Sequence, residues 1–216
     1  MNALKYLNIV EDKILVLLND NASALVSQTS LSSPRAIGDA VQMFLSEYLE
    51  DCFPKGVIKN MENDFERRSM EDMAFYDYSN CYFAIDAKTH NCQTVFNMPN
   101  LISVQRLAKF YRNDTNYFCI LLVEYEIQNN AIWYKKCHFK PIEQFSWECL
   151  SLGALGWGQI QIANANRLKF QKTINRKAWM LQFFDLLSEF YDAEIGKIGQ
   201  RKLFFDQEKE YWLHHD

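Results

Sequence analysis

The chain has 216 residues, 49% hydrophobic and 15% aromatic, with a formal net charge of −4. That is ample apolar material for a core without staples, and no Pro-, Gly- or Ser-rich linker divides it, so one domain over residues 1–216 is expected. No apolar run of about 18 residues offers a membrane span. The six cysteines and four histidines lack the spacing of a zinc site.

Cysteines set in apolar runs, as in Phe118-Cys119-Ile120, together with the lack of an apolar export signal, predict free thiols and a cytoplasmic protein. The weak negative charge argues against a protein that simply coats nucleic acid. Locally, eight basic residues stand against four acids between Arg167 and Lys202, which predicts a basic surface in the last third.

In chain order, Leu4, Leu7, Val10, Ile14, Leu15, Leu17 and Leu18 recur at helical spacing, so residues 3–19 read as a packing helix ended by Asn19-Asp20-Asn21. Ser27 to Ser33 reads as a loop. Ser33-Pro34 is an N-cap followed by proline at the first helical position, and a helix is expected from Pro34 to about Glu50. Its apolar stripe is Ile37, Val41, Phe44, Leu45 and Tyr48, with Arg35, Asp39 and Gln42 beside or opposite. Gly38 costs that helix about 1 kcal/mol relative to alanine. The cost predicts a close approach by backbone, by DNA or by a neighbouring helix.

Residues 54–70, with the basic pair Arg67-Arg68, read as a loop or short helix. Thr89 to Asn97 is a polar connector, and a helix carrying Leu101, Ile102, Leu107, Ala108 and Phe110 is expected to begin at Pro99. Tyr117–Ile127 and Ala131–Phe139, joined through Gln128-Asn129-Asn130, predict a hairpin. The Gln-Ile-Gln-Ile alternation from Gln159 predicts a short strand with both glutamines on one face. A long amphipathic helix follows from Asn175, then a charged tail. Mixed strands and helices indicate an α/β or α+β fold.

The chemistry centres on residues 71–91. Apolar and aromatic residues flank Asp77-Tyr78-Ser79-Asn80, which predicts two strands and a turn. If the hairpin turns about Ser79, Tyr76 faces Tyr82, Ala74 faces Ala84 and Asp72 faces Asp86. Lys88, two residues on, joins the same face. Opposed Cβ atoms lie about 4.5 to 5.5 Å apart, so two carboxylates there suit a shared hard cation. Asp77 pairs with Cys81 at the turn instead. With the Ala87 carbonyl, Asp72 and Asp86 offer oxygen ligands for Mg²⁺, and Lys88 stands ready to orient a water and offset phosphate charge. The bland alternative is a surface ion pair worth less than about 1 kcal/mol.

Glu-Asp, strand, turn, strand and Ile-Asp-Ala-Lys-Thr together resemble the PD-(D/E)XK nuclease signature, with Glu71 in place of its proline. Asp-Ala-Lys-Thr-His-Asn, Met-Pro-Asn-Leu-Ile-Ser-Val-Gln-Arg-Leu-Ala and Gln-Ile-Gln are similar to blunt-cutting type II restriction endonucleases of the EcoRV and HincII kind. The resemblance implies a mixed central β-sheet flanked by helices, Asp72 and Asp86 as Mg²⁺ ligands and Lys88 as the catalytic lysine. It also places Asp39 or Gln42 as a supporting residue.

For DNA contact the resemblance points to Thr89, His90, Asn91, Asn97 and Asn100, and Gln159, Gln161 and Asn164 are similar candidates. The expected activity is site-specific cleavage of double-stranded DNA to 5′-phosphate and 3′-hydroxyl ends by a homodimer with a separately encoded methyltransferase. The alternatives are a structure-specific nuclease of the same fold and a non-catalytic DNA-binding protein.

Overall fold

The computed structural model describes residues 2–25, 31–63, 69–173 and 175–215. The strands are β1 (Ile58–Glu62), β2 (Met73–Asp77), β3 (Tyr82–Asn91), β4 (Asn100–Ser103), β5 (Asn116–Gln128), β6 (Ala131–Pro141), β7 (Leu150–Gly153) and β8 (Gln159–Ile162). The helices are α1 (Leu7–Asp20), the single turn α2 (Ala22–Leu25), α3 (Pro34–Cys52), α4 (Val104–Phe110) and α5 (Arg176–Leu213). The chain divides into two compact units, Met1–Thr173 and Ile174–Asp216, and α5 forms the second.

A five-stranded mixed sheet runs β1-β2-β3-β5-β6, with β3 and β5 parallel and the other pairs antiparallel. A smaller antiparallel sheet runs β4-β8-β7. The mixed α/β class is as the sequence predicted.

The hairpin at residues 71–91 has the expected register for Met73 with Ile85, Ala74 with Ala84, Phe75 with Phe83 and Tyr76 with Tyr82, but β2 begins at Met73 and the expected pair of Asp72 with Asp86 is not part of the ladder. Its turn is locked by Asp77, which is fully buried. One Asp77 oxygen accepts from the Ser79 and Cys81 amides at 2.8 and 2.9 Å, and the other accepts from the Ala3 amide at 2.9 Å. Asn80 takes the left-handed conformation (φ 58°) the tight turn needs. The β5–β6 hairpin likewise turns through Asn129 and Asn130 at φ 51° and 58°, as a two-residue turn with both φ positive requires.

Side-chain alternation gives β3 two different faces. Phe83 and Ile85 join Met73, Phe75, Cys119, Leu121 and Val123 in one core with Ile14 and Leu18 of α1 and Ile37 and Leu45 of α3. Phe75 and Phe83 stack at 4.7 Å between centroids. Asp86 and Lys88 belong to the opposite face. A Cβ on Gly38 would lie 3.2 Å from Thr89 Oγ1, so the close approach that glycine permits is between α3 and β3.

Two expectations change. Ile58–Glu62 is a strand, where a loop or short helix was expected. It lies at the sheet edge, mostly exposed, and its polar composition shows no apolar alternation because pairing with β2 creates it. Pro99 does not begin a helix either. Asn100–Ser103 pairs with β8 first, and the helix starts at Val104. Arg67, Arg68 and most of the Ser27–Ser33 loop lie outside the described residues. No helix among the described residues is long and apolar enough to cross a membrane.

Because the Asp77 carboxylate satisfies three backbone donors, its loss leaves the buried Ala3 N–H unpaired, at about 1–3 kcal/mol, and also removes the bonds to the more accessible Ser79 and Cys81 amides. Asp77→Ala is expected to lower stability by about 2–4 kcal/mol in urea unfolding. An unchanged midpoint would show that the turn holds without it.

Candidate active site

At the end of β2 the chain leaves the ladder. The Asp72 amide donates to the Ile85 carbonyl at 2.8 Å, and Asp72 Oδ2 accepts from the Ala87 amide at 2.8 Å. The Asp77 amide donates to the Cys81 carbonyl at 3.0 Å, so the hydrogen-bonded positions alternate through 75/83 and 73/85 and would next join 71 to 87. The Asp72 carboxylate takes the place of that absent carbonyl. N–H and C=O of one strand residue point to the same edge, so the Ala87 carbonyl faces the edge that Asp72 occupies.

Asp86 is 7% exposed. Its Oδ1 accepts from Lys88 Nζ at 2.6 Å, while Oδ2 is buried with no hydrogen-bond partner. Burial pushes its carboxyl up to about 7, against the pull of Lys88 and with a smaller upward push from Asp72. A buried carboxylate oxygen without a donor is costly, and a cation beside it would remove that cost.

Asp72 and Asp86 line one cleft of about 660 Å³, with Ser103 and Arg106 on the side formed by β4 and α4 and Trp157 and Gln159 on the side leading into β8. Trp157 is 66% exposed, in a turn closed by the Gly158 amide on the Leu155 carbonyl at 3.0 Å, with Gly156 and Gly158 at positive φ.

The donor set suits a hard cation that keeps some of its water. Among the described residues no group of three or more His, Cys, Asp or Glu side chains could hold a metal. A closed protein cage is therefore not what these residues build. Two carboxylates and the Ala87 carbonyl match the usual Mg²⁺ arrangement, in which water and substrate phosphate complete the shell.

The other sequence candidates are scattered. Half-buried Gln42 shares no hydrogen bond with Asp72, Asp86 or Lys88, and exposed Asp39 lies 3.8 Å from Arg35. Thr89 lies against Gly38, on the helix-covered face. His90 is 1% exposed, with its ring nitrogens 2.8 Å from Asn166 Oδ1 and 3.2 Å from Asn97 Nδ2. This corrects the expected DNA contact: His90 braces the 94–97 loop, whose Thr94 and Val95 carbonyls accept from Asn166.

Asn91 accepts from the Gln93 amide and Asn164 from the Asn166 amide, each shaping its own turn. Asn97 is occupied with His90. Gln161 donates to exposed Asn100 at 2.6 Å and lies over Gly153, where a Cβ would come 2.6 Å from its amide. Of the expected DNA contacts, Gln159 alone lines the cleft. The basic stretch of the last third is partly neutralised locally, since Lys169, Lys197 and Lys202 pair with Glu148, Glu194 and Asp206.

Ser103 and Arg106 fall within the Met98–Ala108 stretch that carries the resemblance, which assigns them no role, and Trp157 has no signal in the sequence; the pairing of β4 with β8 brings this wall to the cleft. A second polar group is equally hidden: His138 Nε2 lies 3.0 Å from Glu124 Oε1, and Cys92 donates to Glu124 at 3.7 Å, beside a hollow of about 440 Å³. The hydrogen bond from His138 holds the Glu124 carboxyl below its ordinary range. No protein-family model matches the chain, and no curated protein matches it.

Asp86 titrates near 7 when folded, against an ordinary value of 3.8. The folded state therefore keeps a proton that the unfolded state loses, and stability falls as pH rises from about 4 to about 7, then levels off. In EDTA, Asp86→Asn is expected to gain on the wild type over that window by up to a few kcal/mol, at about 1.4 kcal/mol per pH unit. Urea unfolding of both proteins at pH 5 and pH 8 measures this, and a constant difference would refute it.

Proposed function

We propose that the chain is a Mg²⁺-dependent deoxyribonuclease, a type II restriction endonuclease that cuts both strands of DNA at a short specific sequence. The observation that carries this reading is that Asp72 and Asp86 line one open cleft while Lys88 Nζ lies 2.6 Å from Asp86. The orphaned Asp86 oxygen supports a metal there, and the exposed cation Arg106 on the cleft wall supports a phosphate-bearing substrate.

Asp72, Asp86 and the Ala87 carbonyl would hold Mg²⁺, which acidifies a bound water and withdraws charge from the phosphate. Lys88 Nζ, steered by its ion pair with Asp86, orients the attacking water and offsets charge building on the non-bridging oxygens. The water oxygen bonds to phosphorus, and the P–O3′ bond breaks. The 3′-oxygen leaves with a proton, giving 5′-phosphate and 3′-hydroxyl ends. Cutting two antiparallel strands alike calls for two copies of the site, hence a homodimer. A separately encoded methyltransferase would protect the host's own DNA.

Incubation of mixed-sequence DNA with the protein in Mg²⁺ or in EDTA tests the reading. Discrete fragments are expected with Mg²⁺ alone, with Lys88→Ala and Asp86→Asn slower by at least about 10²–10³-fold. Smearing, or cutting confined to junctions, would replace the restriction reading with a structure-specific nuclease. No cleavage of any DNA would sink both.

A further inference from the structure

Resting on the nuclease reading, we propose that the DNA backbone approaches the carboxylates along a basic groove built on α4, and not across the loops that follow β3. The cleft holding Asp72 and Asp86 does not end at Arg106. Met70 and Arg106 also line an adjoining, shallower groove of about 500 Å³, whose further walls include Lys109, Arg112, Asn113 and Asn116. Arg106, Lys109 and Arg112 are all exposed. Their spacing of three along α4 and its C-terminal turn places neighbours on one side. Among the described residues Lys109 and Arg112 enter no ion pair, so both charges are offered to solvent.

The floor of the cleft is acidic and its extension basic, a pairing that a polyanion with a metal-bridged centre satisfies at both ends. The scissile phosphate would sit at the Asp72–Asp86 end, where its charge is met through the cation. The flanking phosphates of the same strand then meet the α4 cations. From Arg106 to Lys109 the helix advances about 4.5 Å, against about 3.4 Å per nucleotide along the axis of one strand, so these two cations suit neighbouring phosphates, with Arg112 just past the end of α4. Asn113 and Asn116 shape the far end of the groove, Asn113 by accepting from the Thr115 amide and Asn116 by donating to the Phe110 carbonyl at 3.0 Å, so the phosphate contacts fall to the cations. The loop candidates after β3 serve this contact poorly, because His90, Asn91 and Asn97 are engaged in holding their own turns.

The probe is a 20-base-pair duplex taken from DNA that the wild-type protein cuts, bound in Ca²⁺ to prevent cleavage, with affinity measured across about 50–200 mM salt. Lys109→Ala/Arg112→Ala should lower the slope of log affinity against log salt by about 1.8, at about 0.9 for each phosphate no longer neutralised, and weaken binding about ten-fold or more at the low-salt end. Lys109→Arg/Arg112→Lys, which keeps both charges, should restore the wild-type slope. An unchanged slope in the alanine variant overturns the groove, even if affinity falls, and so does a charge-keeping variant that behaves like alanine. A wild-type protein that neither binds nor cuts DNA overturns the nuclease reading and the groove with it.

Discussion

The register of the β2–β3 hairpin is the constraint on which the candidate site rests. A slip of one residue would take the Ala87 amide away from the Asp72 carboxylate that accepts from it at 2.8 Å. The slip is blocked at both ends. At the turn, Asp77 is buried and gives its oxygens to the Ser79, Cys81 and Ala3 amides. Along the strands, Phe75 stacks on Phe83, and Phe83 on Tyr117 of β5 at 5.0 Å. Asp77 thus holds the turn, while Asp72 and Asp86 line the candidate cleft.

The two faces of β3 divide packing from chemistry. One face carries Phe83 and Ile85 into the core with α1 and α3, and Gly38 lets α3 descend onto Thr89. The other carries Asp86 to the cleft, with Lys88 paired to it. Asp86 is dry enough that burial raises its carboxyl to about 7, yet one oxygen has no donor at all. A structural ion pair would usually satisfy both oxygens. The unbalanced state suits a group awaiting a cation and an anionic substrate.

The opposite wall of the cleft is supplied by parts of the chain distant in sequence. Pairing of β4 with β8 brings Ser103 and Gln159 together, and α4 springs directly from β4, so Arg106 and the cations beyond it share the mouth of the same cleft. The Leu155–Gly158 turn, held by glycines at positive φ, closes the other side with Trp157. The acidic floor and the basic extension are therefore positioned by two different sheets.

What the sequence determined is local. Apolar spacing and a Ser-Pro cap marked α1 and α3, and the Asn-Asn turn marked the β5–β6 hairpin. The period of two around Ser79 set the pairing from Met73 with Ile85 to Tyr76 with Tyr82, since a hairpin's pairing is dictated by its own turn, while Asp72 reaches β3 outside that ladder through the Ala87 amide. What only the tertiary structure decided is whatever depends on partners far along the chain. Ile58–Glu62 became a strand because β2 offered it an edge, and Asn100–Ser103 became one because β8 did. His90 and Thr89 were turned from expected DNA contacts into packing groups by Asn166 and Gly38. Trp157 joined the cleft with no motif to announce it, and Arg106, though inside the Met98–Ala108 stretch, had no role assigned by the resemblance. The β2–β3 strands are joined by a tight turn, whereas the cleft wall meets only through long loops, and residue spacing carries no information about where such loops return.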